Sequence, residues 1–199
     1  MNIAVASIVE GHGEQAAFPV LLRRIFEWLS PGEYVHVPAP IRVHKDRFLN
    51  RDAEFSRYLS LADAKSDGSG WVMILLDADD QCPRYLGAEV LGRAQQALPG
   101  RSISVIIANR EYEAWFIASA RSLDGVRSFK FQGDCQDPEA PRDAKGWMEA
   151  RMDSGCYGEV MDQPAFSAKL DLQQAHDRSR SFRKLVSECE KKLRAIRGY

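Results

Sequence analysis

The sequence predicts an α/β protein: a parallel sheet covered by helices on both faces, followed by a helical C-terminal extension. Three apolar runs carry that prediction, "IAVASIV" (3–9), "WVMILL" (71–76) and "ISVIIA" (103–108). None shows the alternation of a half-exposed strand, and each has the length of a strand buried on both sides. Segments of helical spacing separate them, and strands alternating with helices build a parallel sheet.

A chain of 199 residues with 45% apolar content can bury one proper core. Lys and Arg total 27 against 28 Asp and Glu, so overall charge selects no polyanionic partner. The first residues carry no Lys or Arg and their apolar run stops too early for a secretory signal. No apolar run reaches the length of a membrane span. Cys82, Cys135, Cys156 and Cys189 form no CxxC pair and have no His at metal spacing, as expected of thiols in a reducing cytoplasm.

Taken in order, the segment from Glu14 to Leu29 sets Phe18, Leu21, Leu22, Ile25 and Leu29 on one helical face. Pro19 implies either a start near Ala17 or a kink. "YVHVP" (34–38) reads as a short strand, Arg51 to Ala64 as a helix, and "KSDGSG" (65–70) as a loop. After the second buried strand, Tyr85 to Leu98 is helical and "LPGR" turns into the third. Beyond Ser119 the pattern weakens. Residues 131–143 read as an exposed loop, Gly146 to Met152 as a short helix, and "QPAFSAKLDLQQA" mixes turn and helix signals. Ser181 to Ile196 is a clear amphipathic helix. The division expected is a core over residues 1–120 and a helical extension over 121–199, packed together as one domain.

Each buried strand is followed at once by acids: Glu10 and Glu14, then Asp77, Asp79 and Asp80, then Glu111 and Glu113. Parallel strands bring those ends to one edge, where open sheets bind ligands. Like charges gathered there repel, and burial adds to the cost. A divalent cation is the simplest compensation, and oxygen donors without clustered Cys or His favour Mg²⁺ or Mn²⁺. Asp77 and Asp79 share a face if strand geometry persists. Glu10 completes that site or holds a second ion, and two ions about 3.5–4 Å apart clamp the attacking and leaving oxygens of a phosphodiester. Gly11 and Gly13 let a phosphate approach the helix N-terminus. If a helix begins near Arg110, only one of Glu111 and Glu113 faces the site.

"VEGHGEQAAFPVLL" followed by "ILLDADD" resembles the Toprim domain of topoisomerases, primases and OLD-type nucleases, in its OLD-type form. "NREYEAWF", "AKLD" and "SRSF" resemble a family of short stand-alone Toprim-like proteins, often found beside ATPases in bacterial defence or mobile loci. The resemblance implies a Toprim-like (Rossmann-like) core and Mg²⁺- or Mn²⁺-dependent phosphodiester hydrolysis on DNA or RNA, in a phage-defence setting. It implies Glu10 as metal ligand or general acid/base, Asp77 and Asp79 as the metal pair, Glu14 as the second glutamate, and Glu111 or Glu113 as a further acid. Gly13 departs from the pattern, where Thr is usual. The alternative is a non-autonomous effector or regulatory subunit working with a separate ATPase. A homodimer is left open.

Other residues stay divided between two readings. His12 is a proton shuttle or phosphate contact, or an exposed turn residue. Lys169 reaches the scissile phosphate, or is a surface lysine. The tail from Arg178 to Arg197, with eight Lys/Arg against two Glu, follows a nucleic-acid backbone or is a solvated face. "KDRFLNR" (45–51) is a second small basic cluster with the same two readings.

Overall fold

A computed structural model describes residues 3–67 and 70–197. The strands are β1 (Ile3–Val9), β2 (Val35–His36), β3 (Ile41–Arg42), β4 (Trp71–Asp77) and β5 (Ser102–Ala108). The helices are α1 (His12–Leu29), α2 (Lys45–Asn50), α3 (Asp52–Lys65), α4 (Pro83–Ala97), α5 (Ala114–Ala118), α6 (Ala144–Glu149), α7 (Glu159–Ser167), α8 (Leu172–Arg178) and α9 (Arg180–Arg197). Two short 3₁₀ turns lie between α5 and α6. The loop expected over 65–70 falls partly on residues 68 and 69, outside the described residues.

All strand pairs are parallel, in the order β2-β1-β4-β5. β3 joins the same side of β1 as β2, further along: β2 pairs Ile3 and Ala4, β3 pairs Ile8 and Val9. The predicted fold class is therefore the observed one, a Rossmann-like α/β sheet flanked by helices. Alternate residues of each strand serve two cores. Val5, Trp71, Met73 and Ile106 pack against α1, α5 and α7–α9. Ala6, Ile8, Val72, Ile74 and Ile107 pack against α2, α3 and α4. This two-sided burial explains why the strands read as continuous apolar runs.

Residues beyond 120 do not stand apart, since Phe166, Phe182, Leu185 and Val186 share one apolar cluster with Phe18, Trp71 and Trp115. Trp115 also donates through Nε1 to Ser181 Oγ at 2.9 Å. α7 is the element least visible in sequence, because Pro164 interrupts its pattern. Asp162 caps its start, accepting from the Gly158 N–H at 2.7 Å and from Arg127 Nε at 2.8 Å.

α1 resolves the question of Pro19. The helix begins at His12 and runs through the proline, which is buried. Glu14 stabilises the N-terminus by folding back to accept the Gly11 N–H, the acid half of a capping box. Both glycines of this turn are required by close approach. A Cβ at Gly11 would lie 2.2 Å from Glu14 Oε2, and one at Gly13 would lie 2.0 Å from Gln163 Oε1 and 2.9 Å from the Glu159 carbonyl. The space expected to admit a phosphate is thus filled by Glu14 and by α7. Replacing Gly13 by Ala should force α1 and α7 apart and cost about 1–3 kcal/mol in urea denaturation; an unchanged midpoint would contradict the close packing.

Candidate active site at the carboxyl edge of the sheet

The parallel topology carries the ends of β1, β4 and β5 to one edge, with β4 between the other two. Glu10 follows β1, Asp77 ends β4, and Glu113 follows β5 at the start of α5. Glu14 joins them from the first turn of α1. Glu14 and Glu113 are buried, at 5% and 0% exposure, and Glu10 is half-buried.

Electrostatics shows that these four carboxyls act as one cluster. Burial raises the Glu10 carboxyl, with Asp79 and Glu14 adding to the rise and Lys45 opposing it. Burial raises Glu14 as well, opposed by Gln163, the Gly11 N–H and Lys145. Asp77 is pushed well above the usual aspartate range, first by burial and then by Glu14, Glu113 and Glu10. Burial pushes Glu113 up to about 7, against hydrogen bonds from Gln163 and Tyr157 and the charge of Lys145. Desolvation thus raises every member, and like charge within the cluster adds to it at Glu10 and Asp77.

The cluster is only partly satisfied. Gln163 Nε2 donates to Glu113 Oε1 at 2.8 Å and to Glu14 Oε1 at 3.4 Å, and the Tyr157 hydroxyl donates to Glu113 Oε1 at 3.0 Å. Glu10 Oε2, Glu113 Oε2 and Gln163 Oε1 are buried without any hydrogen-bond partner. A buried acceptor left unpaired costs about 1–3 kcal/mol, more when charged. Two lysines flank the acids. Lys45, 8% exposed, donates to the Asp77 carbonyl at 2.6 Å and to Asp79 Oδ2 at 2.5 Å. Lys145 pairs with Glu159 at 2.8 Å. Burial lowers its ammonium, but Glu159, Glu113 and Asp77 outweigh that and hold it above its ordinary value.

Several expected site residues land elsewhere. Strand geometry stops at Asp77; Asp79 has φ 51° and its N–H donates to the Arg110 carbonyl, itself at φ 65°. Both chains turn in the left-handed region, which Asp tolerates better than most residues, so Asp79 does not share a face with Asp77 and turns to Lys45 instead. Glu111 accepts the Lys145 N–H at 3.0 Å and stays out of the cluster, leaving Glu113 as the one glutamate of that pair to face it. Asp80 pairs with Arg110 at 2.9 Å. His12 is exposed.

Lys169 is also exposed, just past the C-terminal end of α7. α7 runs alongside α1, its start touching Gly13 and its end touching Arg24, whose Nη1 donates to the Ser167 carbonyl. Lys169 is therefore displaced from the acids by roughly the ten-residue span from Glu14 to Arg24, about 15 Å of helix. Of the two readings of Lys169, its position fits the surface lysine. Lys145, Tyr157 and Gln163 have no counterpart among the sequence-derived candidates, and Lys45 appears there only within the basic cluster 45–51; only tertiary packing brings these residues to the edge.

Hard oxygen donors, two of them orphaned, suit Mg²⁺ or Mn²⁺ better than a softer ion. The donors are gathered but do not form a finished cage. Among the described residues, no three His, Cys, Asp or Glu side chains converge as a ready metal site. Glu14 is engaged by the Gly11 N–H and Gln163, and a shift of its side chain is needed before it can ligate.

The molecule's larger groove, about 750 Å³, lies elsewhere, between α4, β5 and α9. Its two acids are already satisfied. Burial raises Glu188, but Lys184, Ser104 and Lys191 outweigh it and hold the carboxyl down to about 2. Glu139, raised by burial, is held below its ordinary value by Ser179, Ser181 and Asn109. An opening of about 500 Å³ is lined by Lys145 and its neighbours in α6, and a smaller one, about 350 Å³, reaches Glu10 and Asp79.

Because the folded-state value of Glu113 lies above the ordinary one near 4.5, its stabilising contribution is complete below about pH 4.5 and is lost as pH rises through about 7. In chelator, thermal stability should fall between pH 5 and 8, by an amount on the order of 3 kcal/mol for this group. Glu113→Gln should flatten that slope, and an unaltered slope would refute the desolvation of this carboxyl.

No curated protein and no solved structure matches the chain. A family described as a domain of unknown function, DUF4276, matches residues 9–190, a span holding all four acids of the cluster and both flanking lysines. The chain belongs to this DUF4276 family.

Proposed function

We propose that this protein is a Toprim-type, OLD-like phosphodiesterase that requires Mg²⁺ or Mn²⁺ and cuts DNA or RNA in the cytoplasm, in a phage-defence setting. The observation that carries the reading is the pair of buried, unpartnered carboxylate oxygens, Glu10 Oε2 and Glu113 Oε2, in the segments that follow the two strands flanking β4. Such atoms fit a cation that desolvated carboxylates can hold. Glu10, Glu14, Asp77 and Glu113 would hold it, and when bound it polarises a phosphoryl oxygen and offsets charge that develops there.

The chain's own residues divide the remaining work. Asp77, at the end of the central strand β4, feels the charge of Glu10, Glu14 and Glu113 together, which raises its affinity for a proton or a cation. Glu10 has a raised carboxyl at the mouth of the smaller opening, which suits it to take a proton from attacking water or return one to the leaving oxygen. Lys45 holds Asp79 and the end of β4 in place. Burial keeps the hydroxyls of Tyr112 and Tyr157 protonated, with Tyr157 a donor to Glu113. Four free cysteines agree with a reducing compartment, and among the described residues no helix is long and apolar enough to cross a membrane.

The engaged state of Glu14 favours a second reading. A non-autonomous subunit, activated by a separate ATPase that shifts α7 against α1, would keep Glu14 tied down until the partner binds. Cleavage appearing only with a co-purified ATPase would support it.

The purified chain with Mn²⁺ or Mg²⁺ should cleave a panel of single- and double-stranded DNA and RNA. Asp77→Asn should lower that activity about a thousandfold. The same variant should raise the melting temperature in chelator, because it removes a crowded charge. Retained activity in a stable Asp77→Asn protein would remove the mechanism.

A further inference from the structure

The acid cluster repels the polyanion it is proposed to cut, so some part of the site has to attract phosphate. Most of the α9 tail is a poor candidate for that role, and its Arg180, which has no partner among the described residues, lines the larger groove rather than the acid edge. Lys184 and Lys191 bridge to Glu188, Arg194 to Glu190 and Arg197 to Glu33. Arg183 donates to the carbonyls of His176 and Asp177, and Arg178 pairs with Asp134. Nearer the acids, Arg110 and Arg142 are drawn to Asp80, and Lys145 to Glu159.

The connection from β3 into α2 is different. Arg42 is the register partner of Val9, the residue before Glu10, and neighbouring strands lie about 4.8 Å apart. The following Val43 N–H donates to the Val9 carbonyl at 2.9 Å, and Lys45 ties the far end of the connection to Asp77 and Asp79. This anchored segment supplies Arg42, His44 and Lys45 to the 350 Å³ opening whose other side holds Glu10 and Asp79. Arg42 is half-buried, and its guanidinium has no hydrogen-bond or ion-pair partner among the described residues. Arg47, exposed on α2 and likewise without a partner among the described residues, extends the positive track away from the opening.

We infer that Arg42 and His44, backed by Lys45, form a subsite for a nucleic-acid backbone phosphate, so that the polymer enters over the β3–α2 connection and passes Glu10. The inference deepens the phosphodiesterase reading and rests on it for the identity of the polymer. A guanidinium offers two parallel donors to one phosphate. The rigid hold on both ends of the segment keeps Arg42 at a fixed distance from the acids, which spaces the recognised phosphate from the one attacked. Asp46, on the same rim, is unsuited to this role by its sign.

The test is binding rather than cleavage. Fluorescence anisotropy of a labelled mixed-sequence single-stranded DNA, in EDTA at several KCl concentrations, should show Arg42→Gln weakening affinity by at least about tenfold. The slope of log affinity against log salt should fall by about one. The melting temperature should stay that of the unaltered protein. Arg84→Gln, an arginine of the larger groove with no partner among the described residues, should bind as the unaltered protein does. Equal affinity for Arg42→Gln, an equal loss for Arg84→Gln, or no binding by the unaltered protein would each overturn the subsite. Failure of the phosphodiesterase reading looks different: binding would depend on Arg42 while Mg²⁺ and Mn²⁺ bring no cleavage.

Discussion

Desolvated like charge at the end of a parallel sheet is the constraint around which this molecule is arranged. Every strand in such a sheet delivers its C-terminal residue to the same edge, so acids that follow three different strands meet whether or not they attract. Here they meet under cover, with Glu14 and Glu113 buried. Water that would stabilise separated carboxylates is excluded, and the energy is held instead by raised proton affinity, two flanking lysines and a few donors. That balance is incomplete, as the unpartnered oxygens of Glu10 and Glu113 indicate.

The C-terminal half of the chain completes the edge. α7 packs against the first turn of α1 so closely that Gly13 leaves room only for Gln163. The same helix and its approach bring Tyr157 and Gln163 to Glu113. Glu139 performs the matching task on the neighbouring side. Its Oε1 accepts from the Ser179 and Ser181 hydroxyls at 2.6 and 2.8 Å and from the Ser181 N–H at 2.8 Å, and its Oε2 accepts from Asn109 just beyond β5. The "SRSF" stretch is thus a structural clasp that seats α9 against the sheet.

Much of this edge was legible in the residues themselves. β1, β4 and β5 are legible because strands buried on both faces must be apolar throughout, and Glu10, Asp77 and the pair Glu111/Glu113 follow from where those runs end, with the choice of Glu113 left to the structure. Glu14 is legible as the second acid after the first strand, and it doubles as the first-turn acid of α1. What stayed hidden depends on geometry that no short window contains. Asp79 leaves its expected face because one residue adopts a left-handed conformation. β3 has two residues, too few to produce a pattern, yet it carries Arg42 beside Val9. α7 was obscured by Pro164, and with it Gln163, while Lys169 lies at the end of that helix away from the acids. Gly11 and Gly13 were recognised as places of close approach, but the atoms that approach them belong to the chain.

The central claim is that the crowded carboxyls hold protons which a cation must displace. Isothermal titration of Mn²⁺ into the protein near pH 7, repeated in two buffers of different ionisation enthalpy, reads that displacement directly. The account predicts uptake accompanied by net release of about one proton, seen as a buffer-dependent heat that Glu113→Gln diminishes. Uptake with identical heats in both buffers, or no uptake, would contradict it.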